Sequence, residues 1–260
     1  METAPPPCVT CGPPRVGPFC SECGQKARAR LTVPGLVAEG TQHVLSLDFG
    51  LLRTAVDLVR RPAGLIRDVF DGRTVRYAGP VRYFLVAVAV SQLLVLAFGS
   101  LESMAEGFNE GRSSAAAFGE EANAPADASD AADAVRRYWV VALAGAVPFV
   151  ALWSRLLLRR SGLTLAEHAT AHLYLIAQMV LGFGLVVALD RAAGGVHEAA
   201  AYAVAAVVLG GALGLALWAS VGVFRRGAVW SPVAMALSLV LGYAVYGTLL
   251  SLGLIALGQA

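Results

Sequence analysis

The chain has 260 residues, of which 57% are hydrophobic and 15% charged, with a net charge of +2. Soluble domains carry about 45–50% apolar and about 25% charged residues, so the composition excludes an ordinary water-soluble domain. The mean hydropathy of +0.65, with the apolar residues gathered in long blocks, points to a membrane.

All four cysteines fall within the first 23 residues, in two Cys-x-x-Cys-Gly knuckles, Cys8-Val-Thr-Cys11-Gly and Cys20-Ser-Glu-Cys23-Gly. No apolar h-region of a signal peptide precedes them, so they are expected in a reducing compartment, where thiols are more often metal ligands than disulfides. Two residues between cysteines let both thiolates reach one ion from a tight turn. The following glycine can adopt φ > 0 and bring backbone N–H groups toward sulfur. Two such turns supply the tetrahedral sulfur set that Zn²⁺ prefers. Residues 1–30 therefore read as a zinc ribbon with Cys8, Cys11, Cys20 and Cys23 as ligands. Iron in a rubredoxin-like site is the other metal, and paired disulfides the alternative in an oxidising compartment. A closed four-cysteine site leaves no position for substrate, so the metal is structural.

Residues 31–82 read as amphipathic helices on the cytosolic side. Thr32 can cap a helix ahead of Pro34. A second helix over 48–61 has Leu51, Leu52, Ala55, Leu58 and Val59 as its apolar face, with Arg53, Asp57, Arg60 and Arg61 opposite. Pro62 ends it and can start a third, which buries Leu65, Ile66 and Val69, exposes Arg67 and Asp68 and stops at Gly72.

Five apolar runs follow, at about 83–101, 138–158, 169–189, 199–224 and 232–258, each long enough to cross about 30 Å of hydrocarbon. Between the first two, residues 102–137 form a polar stretch rich in Ala, Ser, Gly, Asp and Glu, expected as a flexible outer loop. We expect no tandem repeat. Pro148 is expected to kink the second span. Gly210, Gly211 and Gly214 in the fourth suggest tight packing within the chain or in a homo-oligomer.

Orientation follows from the basic residues. Eleven Lys/Arg precede the first span, Arg155, Arg159 and Arg160 join the second span to the third, and Arg225 and Arg226 join the fourth to the fifth. The other side has Arg112, Arg136, Arg137 and Arg191 alone. The N-terminus is therefore expected in the cytosol and the C-terminus outside. The arginines between Arg53 and Arg82 lie beside the first span, where Arg53, Arg60, Arg61 and Arg67 are expected to meet anionic lipid headgroups rather than nucleic acid.

The stretch Phe19-Cys20-Ser-Glu-Cys23-Gly24-Gln25, with His43, Asp48, Gly50, Thr54, Arg61-Pro62, Gly64, Gly72-Arg73, Arg76-Tyr77 and Pro80, resembles an uncharacterised bacterial membrane family, a domain-of-unknown-function family with an N-terminal zinc ribbon. The resemblance covers roughly residues 8–85. It implies a multi-pass protein of the bacterial inner membrane and carries no mechanism. Beyond residue 85 it is loose, through Glu167-His168 and Tyr174 to Gln178.

The expected fold is an all-α integral membrane protein, with a bundle over 83–260, interfacial helices over 31–82 and the ribbon in front. Three function classes compete. The favoured one is a non-enzymatic scaffold or regulator whose ribbon docks a cytosolic protein. The second is a transporter or channel for a small solute or lipid, which would need a polar cavity between spans. The third is a membrane enzyme that gathers Glu167, His168 and His172 at the mouth of the third span. His168 and His172 share a helix face, but the order is not the His-Glu-x-x-His of zinc peptidases, and a polar helix start accounts for all three residues. Gln178, with Ser91 and Gln92, sits at membrane depth, where bonds between helices are the expected role.

Overall fold

The computed structural model describes residues 6–27, 30–42, 49–98, 128–192 and 198–258. His43, Asp48 and most of the expected outer loop, 102–127, lie outside them. The described residues are helical apart from the cysteine-rich segment and the connections, and they contain no strand beyond two isolated bridges.

Three short helices precede the long ones: α1 (Val33–Gln42), α2 (Phe49–Arg60) and α3 (Pro62–Phe70). Thr32 Oγ1 accepts from Gly35 N–H at 3.3 Å at the start of α1. Pro62 opens α3 at a position whose N–H would be unsatisfied in any case. Gly72, at φ +82°, turns the chain after it. α3 buries Leu65, Ile66 and Val69 almost completely, each worth about 1.5–3 kcal/mol. Its neighbours are α2 and the far end of α7.

α2 divides its apolar stripe. Leu51, Thr54 and Leu58 face the protein, whereas Leu52, Val56 and Val59 are exposed. At 100° per residue the expected face of Leu51, Leu52, Leu58 and Val59 spans a wide arc, and the bundle covers only one edge of it.

Five long helices follow: α4 (Pro80–Ala97), α5 (Ala128–Leu157), α6 (Leu165–Ala192), α7 (Glu198–Phe224) and α8 (Trp230–Gly258). Pro80–Ala97, Leu165–Leu189 and Trp230–Leu249 are long and apolar enough to cross a membrane, and α5 and α7 contribute shorter apolar segments, Leu143–Leu157 and Leu213–Phe224. α5 starts about ten residues before the expected second span, so the last part of the expected loop is helical. Pro148 is accommodated inside α5. α6 is the central helix, packed against α4, α5 and α7, while α8 packs on α5 and α7.

Close approach occurs where glycine leaves room. A Cβ on Gly184 of α6 would lie 2.6 Å from Ser91 Oγ of α4, and one on Gly242 of α8 would lie 2.6 Å from Val150 Cα of α5. Gly145 of α5 similarly receives Tyr246. Gly210, Gly211 and Gly214 have open space around them, so the close packing expected there within the chain falls at Gly145, Gly184 and Gly242 instead. Gln178 accepts a hydrogen bond from Tyr83 Oη at 2.5 Å, which ties α6 to α4.

Candidate metal centre

The cysteine-rich segment is two copies of one turn, twelve residues apart. Cys8 N–H donates to Pro13 O and Gly12 N–H to Cys8 O; Cys20 N–H donates to Gln25 O and Gly24 N–H to Cys20 O. The bridges Pro7–Pro14 and Phe19–Lys26 close the two turns in the same register. Gly12 and Gly24 take positive φ, +94° and +71°, as the motif requires. The two knuckles read in the sequence thus share one backbone geometry.

The turns face each other and bring the four Sγ atoms within 4.8 Å of one another. Three separations are 3.6 Å (Cys8–Cys23), 3.5 Å (Cys11–Cys20) and 3.4 Å (Cys11–Cys23). A tetrahedron of sulfurs about 2.3 Å from one ion has edges of about 3.8 Å, so the donor set is near that spacing. A disulfide needs about 2.05 Å, and all four thiols are free. Backbone N–H groups of Cys11 and then Thr10 lower the Cys8 thiol to about 6, and those of Cys23 and Glu22 lower Cys20. Thiolate, the form that binds metal, is favoured at those two, whereas the hydrogen bond to Cys23 and then burial raise Cys11, and Cys23 is raised as well. The four cysteines together could hold a metal ion.

Two polar latches fix this unit to the helices. Gln25 is buried. Its Oε1 accepts from Thr10 Oγ1, Thr74 N and Val75 N, each at 3.1 Å, and its Nε2 donates to Lys26 O at 3.1 Å. One amide therefore joins the cysteine turns to the turn after α3. In the second latch, Arg30 donates to both carboxylate oxygens of Glu167, at 3.0 and 2.9 Å, and to Gly162 O at 2.6 Å. Hydrogen bonding to that carboxylate raises the Arg30 pKa above the ordinary arginine value.

Glu167 has a second task. Its Oε2 accepts from Thr164 N–H at 2.6 Å, and Thr164 Oγ1 accepts from Glu167 N–H at 3.2 Å. This reciprocal capping box starts α6. Thr164-Leu-Ala-Glu167 was the sequence signal for it.

Of the rest of the expected polar cluster, His168 and Gln178 have separate partners, whereas His172 has none for either ring nitrogen among the described residues. His168 Nδ1 lies 2.8 Å from Ser154 Oγ of α5, and its ring stacks on Phe224 at 5.1 Å. His172 is fully buried. Gln178 is bonded to Tyr83. These contacts assemble helices, and Glu167 serves the latch and the cap.

Arginines expected at lipid are partly committed inside the chain. Arg67 donates to Gly222 O and Val223 O, closing carbonyls at the C-terminal end of α7. Burial and then Arg225 lower its pKa. Arg61 bonds Asp57, Asp68 and Tyr77. Arg53 reaches Asp57 only at 3.9 Å, and Arg60 is exposed.

Beneath this layer, Ala78 is held from both sides. Its N–H donates to Thr54 Oγ1 at 3.0 Å and its carbonyl accepts from Tyr174 Oη at 2.6 Å. Those bonds tie α2, the turn before α4 and α6 into one buried junction. Between α5, α6 and α8 lies a cavity of about 300 Å³ with Leu143, Ile176, Phe183, Leu239 and Tyr243 in its lining. That apolar surface suits hydrocarbon better than a hydrated ion.

A family model described as "Protein of unknown function (DUF3667)" matches residues 48–91. The match covers α2, α3, the Gln25-binding turn, the Ala78 junction and the start of α4, and it begins beyond the cysteines. No curated protein and no solved structure matches the chain.

Proposed function

We propose that this is a five-span protein of the bacterial inner membrane that holds a structural zinc ribbon at a fixed height over the cytosolic face, where the ribbon docks a soluble protein partner. In this reading it is a scaffold or regulator rather than an enzyme. The observation that carries it is the combination of two latches with an uncovered ribbon surface. Gln25 and Arg30 tie the ribbon to the bundle, while Val16 and Phe19 remain 85% and 56% exposed. Apolar side chains presented on a rigid element lose little freedom on binding, so more of their burial is kept as affinity. The lipid expectation is retained for α2. There, exposed Leu52, Val56 and Val59 adjoin Arg53 and Arg60, an arrangement suited to lying in an anionic leaflet.

A photo-crosslinking residue at Val16 in cells should give a discrete adduct with a soluble protein, absent when Cys8→Ser disrupts the ribbon. Adducts with lipid or with the chain itself alone would contradict partner docking. For orientation, a cysteine at Ser113 should react with an impermeant thiol reagent in intact spheroplasts and one at Gly227 should not. The reverse pattern would overturn the topology, and reaction at both would mean a miscounted span.

A further inference from the structure

The arginines of the two connections at the ribbon end form a site that none of the roles above uses. After α5 the chain makes a single 3-10 turn, Arg159–Ser161, and reverses at Gly162 with φ +74°. After α7, Arg225 takes φ +52° and Gly227 φ +104°, and Arg226 N–H donates to Ser231 Oγ at 3.2 Å at the start of α8. α5 and α8 pack along each other, so these two turns lie side by side. Between them lies an open-sided cavity of about 430 Å³ lined by Leu157, Arg159, Arg160, Arg226 and Trp230.

Three arginines from two separate connections thus line one space, and no carboxylate lines it. The ion pairs among the described residues join Arg30 to Glu167 and place Arg53, Arg61 and Arg73 on Asp57, Asp68 and Asp71. None reaches Arg159, Arg160 or Arg226. Like charges gathered without a counter-ion repel, although solvent and salt screen exposed groups such as Arg159 and Arg160. The bundle nevertheless brings these three together.

We propose that this cavity is a binding site for a phosphate-bearing anion, with the headgroup of an anionic phospholipid as the favoured source. Guanidinium forks match phosphate oxygens in bidentate pairs, which three arginines can provide from different directions. The remaining lining points to a lipid. Leu157 ends one long apolar helix, and Trp230 begins another and is 45% exposed. An indole at a span end is characteristic of the headgroup level. The volume falls within the range of about 300–1,000 Å³ usual for small-molecule sites. The site is separate from the α2 surface.

The test uses the full chain purified in a neutral detergent and native mass spectrometry with added phosphatidylglycerol, phosphatidylcholine or inorganic phosphate. One phosphatidylglycerol per chain should remain bound, at least about tenfold more than phosphatidylcholine, a difference of about 1.4 kcal/mol. Arg159→Gln/Arg226→Gln should lower that occupancy about tenfold, as should the milder Arg160→Gln, whose exposed side chain is not needed for folding. Arg53→Gln, on α2, should leave it unchanged. Binding of inorganic phosphate with the same arginine dependence, without lipid retention, would support the phosphate site and overturn the lipid source. Equal occupancy in wild type and both variants, or equal retention of the two lipids, would overturn the site.

Discussion

Replacing Cys8 or Cys20 by serine is expected to abolish metal binding and unfold residues 6–27, with the long helices left intact. The ribbon lacks the length for a hydrophobic core, and segments this short need a metal or cross-link to fold. Structural zinc in comparable small units contributes on the order of 10–16 kcal/mol, so under the proposed zinc assignment the metal would be the main source of order in this segment. A serine hydroxyl stays protonated where a thiolate would bind, and a closed site has no water to replace the lost ligand. The purified protein should hold about one zinc per chain and the variants almost none by elemental analysis. Their helical content should be unchanged, because the core residues Leu65, Phe84, Tyr174 and Phe224 lie outside the ribbon. Iron in place of zinc, or no metal in the wild type, would contradict the assignment.

The second large effect is expected from Gln25→Ala, which should release the ribbon without emptying it. The variant removes an oxygen that accepts from Thr10, Thr74 and Val75 and an N–H₂ that donates to Lys26 O. Thr74 N–H keeps a second acceptor in Gly72 O, but Val75 N–H loses the Gln25 oxygen. Val75 is exposed, so water can reach its N–H in the variant, and the cost is that of the lost hydrogen bonds, about 0.5–1.5 kcal/mol each. A total of roughly 2–4 kcal/mol is at least comparable with the other latch, in which exposed Arg30 makes two hydrogen bonds to the buried Glu167 carboxylate. Even 2 kcal/mol shifts a docking equilibrium about thirtyfold. Trypsin should therefore cut the variant after Lys26 or Arg30 at least about tenfold faster, while the zinc content stays near one per chain. Unchanged cleavage would mean that the second latch carries the docking.

The fold and the metal centre were legible in the sequence to different depths. The cysteine set was readable because the chemistry is local: two turns, each specified by five consecutive residues. The long helices were readable as apolar runs, and α3 because Pro62 and Gly72 bracket three apolar residues at helical spacing. Pairing between distant elements was not readable. Gln25 meets a turn 49 residues away and Arg30 meets Glu167 across 137 residues, and nothing in local pattern links them. The α2 stripe was legible as apolar but wider than the surface that covers it, so Leu52 and Val59 went outside. Small-residue spacing was equally blind to partners. Gly210, Gly211 and Gly214 have the expected spacing, but Gly184 and Gly242 have a helix opposite. The helix-start reading of Glu167 was legible, and Thr164, three residues before it, was the further local signal that would have made it a capping box.

Hydrogen exchange at the turn Thr74–Val75 tests the central claim most directly, since rigid presentation of the ribbon requires Val75 N–H to remain bonded to Gln25 Oε1 at 3.1 Å. In the zinc-loaded wild type this amide should exchange only when the ribbon undocks, and so be protected relative to an open turn. In zinc-loaded Gln25→Ala the protection should fall at least about thirtyfold, in line with a loss of 2 kcal/mol or more. Exchange in the wild type as fast as in the variant would show that the ribbon is tethered loosely, and would contradict the account.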